Sequence, residues 1–147
     1  MSDDLPGGWG ATLADLAERR RAARSMGGDE RLARHRQAGK LDVRARVECL
    51  VDAGSFVELG TLVGEVPADG FVAGTAAIDG RAVMVGAEDF TVLAGTIGSG
   101  SNAKRYRIAE LALRERVPLV MLLEGAGFRP GAGGGRSPTD LLVQARC

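Results

Sequence analysis

Two short stretches hold the residues best suited to chemistry. The first is Phe90-Thr91-Val92-Leu93-Ala94-Gly95-Thr96-Ile97-Gly98, and the second is Glu124-Gly125-Ala126-Gly127-Phe128-Arg129-Pro130. Each follows an extended or apolar segment and leads toward a helical pattern. The first N–H groups of a helix lack intrahelical acceptors, and the helix dipole adds positive potential there. A glycine-rich turn from strand to helix can therefore hold an anion or a developing oxyanion. Glycine lets the backbone approach closely and permits positive φ. The competing reading is that such turns only join elements, and spacing alone leaves both open. Neither stretch is a known phosphate loop. Pro130 breaks GxGxxG, and Lys104 stands at the wrong distance from Gly98-Ser99-Gly100 for GxxxxGK[ST].

The side-chain inventory for catalysis is thin. His35 is the single histidine, and its arginine neighbours predict a solvated helix face. Cys49 lies beside an apolar stripe and reads as core. Glu88-Asp89 is a paired acid read as structural, at the end of a strand. There is no GxSxG elbow and no Cys/His spacing that would hold zinc. Chemistry carried by backbone donors suits this inventory best.

The elements that must position the turns follow from periodicity. Residues 11–25 predict an exposed, charged helix stopped by Gly27-Gly28. Asp29 is expected to cap a helix over 30–38, and Asp42 one in which Val43, Val47, Leu50 and Val51 form an apolar stripe. Residues 52–55 read as a turn. The period then shortens. Residues 56–59, 71–78 and 82–86 read as strands, with Asp79-Gly80 as a hairpin turn and residues 88–92 continuing extended. A helix over 102–115 is expected, capped by Ser101 or Asn102, with Tyr106, Ala109 and Leu113 as its stripe. The continuous apolar run over 119–123 suits a strand buried on both faces. A last helix is expected to start at Ser137-Pro138. Two strand–glycine–helix units in succession describe an α/β chain.

Composition bounds the partners. The 147 residues include 22 glycines, about twice ordinary usage, six of them over 125–135. Lys+Arg and Asp+Glu both number 19, so neither nucleic acid nor an anionic membrane is expected as a partner. Two cysteines far apart suggest a reduced, cytoplasmic protein, and the acidic N-terminus is not expected to be a signal peptide.

Several blocks in order then resemble a known family. These are Arg34-His35-Arg36-Gln37-Ala38-Gly39-Lys40-Leu41, Val43-Arg44-Ala45-Arg46-Val47, Leu50-Val51-Asp52-Ala53-Gly54-Ser55-Phe56-Val57-Glu58-Leu59, Ala77-Ile78-Asp79-Gly80-Arg81 and Asp89-Phe90-Thr91-Val92. Leu111-Ala112-Leu113 and the strand and turn over 118–127 continue the match. The blocks look like the biotin-dependent acyl-CoA carboxyltransferases, the β subunits of propionyl- and acetyl-CoA carboxylases with their decarboxylase and transcarboxylase relatives.

The resemblance implies a crotonase-like ββα superhelix preceded by N-terminal helices. Residues 1–40 would be the helical segment, and 41–147 the N-terminal portion of a carboxyltransferase domain, truncated at its C-terminus. It implies acyl-CoA as substrate, biotin carried on a biotin carboxyl carrier or carboxylase subunit, a homo-oligomer, and no metal. A carboxyl group would move from biotin to the acyl α-carbon through an enolate held by backbone amides. Residue by residue, Ala126 and Gly127 occupy the positions of one oxyanion amide pair, and Ala94 and Gly95 those of the earlier pair. Gly98, Lys104, Gly125, Phe128 and Arg129 are then expected at the substrate. The sequence departs from the family where Phe128 replaces a small alanine, where the glycine-rich segment Gly131–Gly135 replaces an acidic residue, and where Asn102-Ala103 replaces Gly-Glu before Lys104. The alternatives are a truncated, non-catalytic fragment that only binds acyl-CoA or a full-length subunit, and a nucleotide-binding α/β module. A marginal, self-associating chain with exposed apolar surface is expected.

Overall fold

The computed structural model of the chain describes residues 8–131. The helix expected from Ser137-Pro138 and the glycines at 133–135 lie outside the described residues. Helix α1 (Gly10–Arg24) buries no residue along its whole length. Helix α2 (Asp29–Gln37) begins with Asp29 and Glu30, where the dipole favours acids. Its cap is Gly28 rather than Asp29, because the chain enters at φ 84°, which a glycine adopts freely. Helix α3 (Val43–Leu50) is capped as expected: the Asp42 carboxylate accepts from the N–H groups of Arg44 (3.1 Å) and Ala45 (3.0 Å).

Strands β1 (Val57–Leu59), β2 (Phe71–Ile78), β3 (Arg81–Glu88) and β4 (Leu119–Leu122) form one sheet in that order. The first two pairings are antiparallel and β3–β4 is parallel. The parallel step is made by helix α4 (Ser99–Glu115), since a parallel neighbour needs a crossover. Alternation sorts the core. Val72, Ala76, Val83, Val85 and Ala87 pack with Val43 and Val47 of α3 on one face. Phe71 and Ala73 pack with Ile108 of α4 on the other. No helix among the described residues is long and apolar enough to cross a membrane.

Several expectations are corrected. The chain turns at residues 90–92 instead of staying extended, because β3 ends at Glu88. Helix α4 starts at Ser99 with Gly98 as its cap, so Ser101 and Asn102 lie inside it. Its buried face is Ser101, Lys104, Arg105, Ile108, Ala109 and Ala112, while Leu113 is exposed. Strand β4 is half-buried rather than enclosed on both faces. Cys49 is exposed, being about 200° around α3 from the buried Val47. His35 is buried: its Nε2 donates to the Leu41 carbonyl at 3.2 Å, and its ring stacks on Phe90 at 6.3 Å.

Candidate functional site

The pairing of Phe71 with Glu88 and of Leu122 with Ala87 brings four pieces of backbone to one end of the sheet. These are the turn entering β2, the turn leaving β3, the start of α4 and the chain leaving β4. That end includes the carboxyl ends of the two parallel strands, where open α/β sheets tend to place ligands. Two of the pieces are strained. Ala68, Asp69 and Gly70 have φ of 47°, 47° and 68°, and Leu93, Ala94 and Gly95 have 47°, 53° and 63°. Left-handed geometry costs roughly 1–2 kcal/mol for each non-glycine residue. Such strain persists where surrounding contacts over-determine it, and it clusters at functional sites.

The contacts that fix it are buried carboxylates. Glu88, the last residue of β3, accepts from the backbone N–H groups of Glu124 and Gly125 and from the Arg105 guanidinium of α4. Burial raises the Glu88 pKa, but Arg105 and the two amides outweigh it and hold the carboxyl below the usual glutamate range. Asp69 is 2% exposed. Its Oδ2 accepts from the Ser101 N–H at 2.5 Å, and its Oδ1 takes Arg129 Nη1 at 2.7 Å. Asp69 thereby supplies the cap that Gly98 cannot, and Ser101 Oγ accepts from the Gly98 N–H at 2.8 Å.

The glycines are explained by these approaches. A Cβ on Gly125 would overlap the Gly95 carbonyl and stand 2.9 Å from Glu88 Oε2. A Cβ on Gly98 would meet Asp69 Oδ2 at 2.9 Å. The two glycine-rich turns lie directly on one another: Ala126 donates to the Ala94 carbonyl at 3.0 Å. Ile97 donates to Gly127 O at 2.8 Å, and Arg129 N–H to Ile97 O at 2.9 Å.

Each expected site residue now has a place. Ala94, Gly95, Gly98, Gly125, Ala126, Gly127, Phe128 and Arg129 are brought together. The Ala126 N–H is engaged by Ala94, and the Gly95 N–H donates to Val92 O at 2.9 Å. The N–H groups of Ala94 and Gly127 have no acceptor among the described residues. Gly127 has φ 94° and open space where a Cβ would stand. Phe128 is exposed. Arg129 is occupied by Asp69 and by the Thr96 carbonyl at 3.1 Å, so it acts as a clamp. Lys104 faces inward and donates to the carbonyls of Ala68 and Phe71. Desolvation brings its pKa down to about 8, against the opposing pull of Glu58 and Asp69.

Sequence reasoning missed Asp69, Glu88 as an amide anchor, and the surroundings of Glu124. Glu124 takes Lys40 Nζ at 2.9 Å and Arg46 Nη1 at 2.8 Å, with His35 Nε2 at 3.9 Å. Nothing local marks Asp69, whose partners lie 32 and 60 residues away.

Beside the Leu93–Gly95 turn lies a cleft of about 420 Å³, walled by Arg31, Arg34, His35, Lys40, Phe90 and Ala94. Lys40 Nζ sits 5.4 Å from the Phe90 ring centre. Cations, an aromatic face and the Leu93–Ala94 turn therefore border one opening. Such a lining suits a ligand that carries anionic groups and a flat ring.

The carboxyl transferase domain model matches residues 34–135. The propionyl-CoA carboxylase β chain of Roseobacter denitrificans is 36% identical over 128 residues, 80% of this chain and 25% of that one. Methylmalonyl-CoA decarboxylase subunit α of Veillonella parvula is 34% identical over 125 residues, 78% of this chain and 25% of that one. Among solved structures, transcarboxylase 12S with methylmalonyl-coenzyme A and methylmalonic acid bound superposes with a TM-score of 0.79. It is 30% identical, over 95% of this chain and 28% of that one. The chain spans about a quarter of the length of the curated relatives it matches.

Proposed function

The chain belongs to the carboxyl transferase domain family, with its crotonase-like α/β fold, and from that premise we propose that it handles the acyl-CoA in a biotin-dependent acyl-CoA carboxyltransferase. The observation that carries this reading is that Ala94 N–H and Gly127 N–H, on two turns that lie against one another, have no acceptor among the described residues. Removing a proton from the α-carbon of a thioester moves negative charge onto its carbonyl oxygen. Preorganised N–H donors stabilise that enolate most where water is excluded. In this reading each turn gives one donor, instead of each giving a pair. The spent amides of Gly95 and Ala126 hold the turns in place.

The cleft at Arg31, Arg34 and Phe90 would take the phosphates and adenine of coenzyme A, with Lys40 beside the ring. Phe128, exposed and next to Gly127, would bear on the acyl group. Carboxybiotin, carried on a partner protein, supplies the activated carboxyl group. The free donors and cationic cleft match a charged thioester. None of the described residues is assigned to biotin. The partners proposed are acyl-CoA, a biotin carrier and further copies of the subunit. Transcarboxylase 12S, solved as a hexamer, supports the last of these by analogy.

The test has two arms. The chain should bind a CoA thioester in a calorimetric titration, and Arg31→Ala with Arg34→Ala should weaken that binding at least tenfold. In the carboxyl-transfer assay, Gly127→Pro removes the donor and cannot adopt φ 94°, so turnover should vanish. Loss of one such donor is worth roughly 10²–10³ in rate. Near-normal turnover in a folded Gly127→Pro protein sinks the assignment of that amide. Binding of the thioester with no transfer by any preparation would leave a binding module rather than an enzyme.

A further inference from the structure

We propose that Glu88 is a positioning residue for the second glycine-rich turn, with Asp69 securing the far end of the same turn through Arg129. This deepens the proposed function and rests on it only for the kinetic consequence. The geometry is asymmetric in an informative way. The turn begins with the N–H groups of Glu124 and Gly125 on the Glu88 carboxylate. It ends with Arg129 on Asp69 at 2.7 Å. Between these anchors, Ala126 N–H is tied to Ala94 O and Gly127 O to Ile97 N–H. Among the described residues the Gly127 and Phe128 N–H groups of this segment have no acceptor, and the direction of the Gly127 N–H is set by bonds on both sides.

Both carboxylates are buried, and neither touches the cleft beside Ala94. Glu88 also holds α4, because Arg105 shares its carboxylate. The Arg105 guanidinium lies 4.5 Å from the Phe71 ring centre, so packing fixes the cation as well. Glu88 thus couples three elements, β3, α4 and the turn after β4, at the point where one amide must aim at an oxygen. A carboxylate with two acceptor oxygens suits this role, since two adjacent N–H groups and a guanidinium need more than one lone-pair site. A misplacement of about 1 Å can lower turnover about a hundredfold.

The test uses the full chain, labelled with ¹⁵N, as wild type and as Glu88→Gln, Glu88→Asp, Asp69→Asn and Glu58→Gln. Glu58 is the control, a comparably buried carboxylate paired with Arg44 at 2.9 Å and away from the turn. Glu88→Gln should shift the Glu124 and Gly125 amide resonances and speed Ala126 N–H exchange at least tenfold. Glu58→Gln should leave these signals in place. Asp69→Asn should move the Phe128 and Arg129 signals more than that of Gly125. If Glu88→Gln fails to fold, Glu88→Asp carries the same comparison, being one methylene shorter with its charge kept. In the transfer assay, Glu88→Gln should lower kcat ten- to a hundredfold with KM within twofold. Unchanged turn amides in a folded Glu88 variant overturn the proposal, and so does a raised KM with normal kcat. A wild-type chain that neither binds a CoA thioester nor supports transfer defeats the proposed function, while the amide spectra still decide the role of Glu88.

Discussion

Single residues carry the sharpest tests. Gly125 and Gly127 sit two apart and answer substitution by alanine differently. At Gly125 a Cβ collides with the backbone of the other turn and the Glu88 carboxylate. Gly125→Ala should therefore destabilise the fold by about 1–3 kcal/mol, as overpacking does, and separate the turns. At Gly127 there is space, and only φ 94° opposes a side chain. Gly127→Ala should cost about 1–2 kcal/mol from left-handed strain, without that collision. Urea unfolding of both variants, with the Ala126 amide signal as reporter, separates the two mechanisms. Lys104 gives a pH signature. The folded chain releases this proton near pH 8, whereas an exposed lysine holds it to 10.5. Between those values the unfolded state binds more proton, so stability should rise with pH, by up to about 3 kcal/mol. Lys104→Met should flatten that rise, and an equal rise in the variant would assign it to another group.

At the level of elements, the caps and the sheet faces make the predictions. Asp42 closes the start of α3 through two backbone N–H groups and pairs with Arg36 at 2.7 Å. Burial alone would raise its pKa. The amides and Arg36 overcome that and lower it. Its contribution is therefore complete above the unfolded carboxylate pKa and fades as pH falls through the lower folded value. Asp42→Ala should cost about 1–2 kcal/mol at neutral pH and much less in acid, read from unfolding at both pH values. On the α4 face of the sheet, a Cβ on Gly86 would stand 2.5 Å from Phe71 Cζ, 2.7 Å from Ile108 Cδ1 and 2.9 Å from Met121 Sδ. Gly86→Ala should lower Tm by several degrees, since α4 would have to move off the sheet. The helices and strands were mostly legible from periodicity. Strands β2 and β3 and the Asp42 cap follow from alternation and residue type. The start of α4 was not legible, because its cap is Asp69, brought there by the turn before β2. The buried face of α4 was misread for the same reason. Lys104 and Arg105 look like surface charges until carbonyls and Glu88 are placed against them.

For the molecule as a whole, exposed apolar side chains gather near the turns. Leu41, Phe90, Leu93, Leu123 and Phe128 are all exposed, Leu123 by 64%. Surfaces of this kind associate. Sedimentation across a range of concentrations should show association, reduced by Phe128→Asp, and a monodisperse monomer of high thermal stability would count against it. The sequence by itself determined the α/β class, the positions of the two glycine-rich turns, and the family. These depend on patterns within about ten residues or on ordered blocks along the chain. Only the tertiary structure decided which amides of the turns have acceptors among the described residues. Gly95 spends its N–H within its own turn, but Ala126, Glu124 and Gly125 find acceptors 32 to 37 residues away in sequence. Hydrogen-bond partners at that separation are set by how strands and turns stack, and residue types and local spacing do not encode them. The same stacking made Arg129 a clamp and Lys104 a buried donor, although the sequence offered both as ligands for substrate.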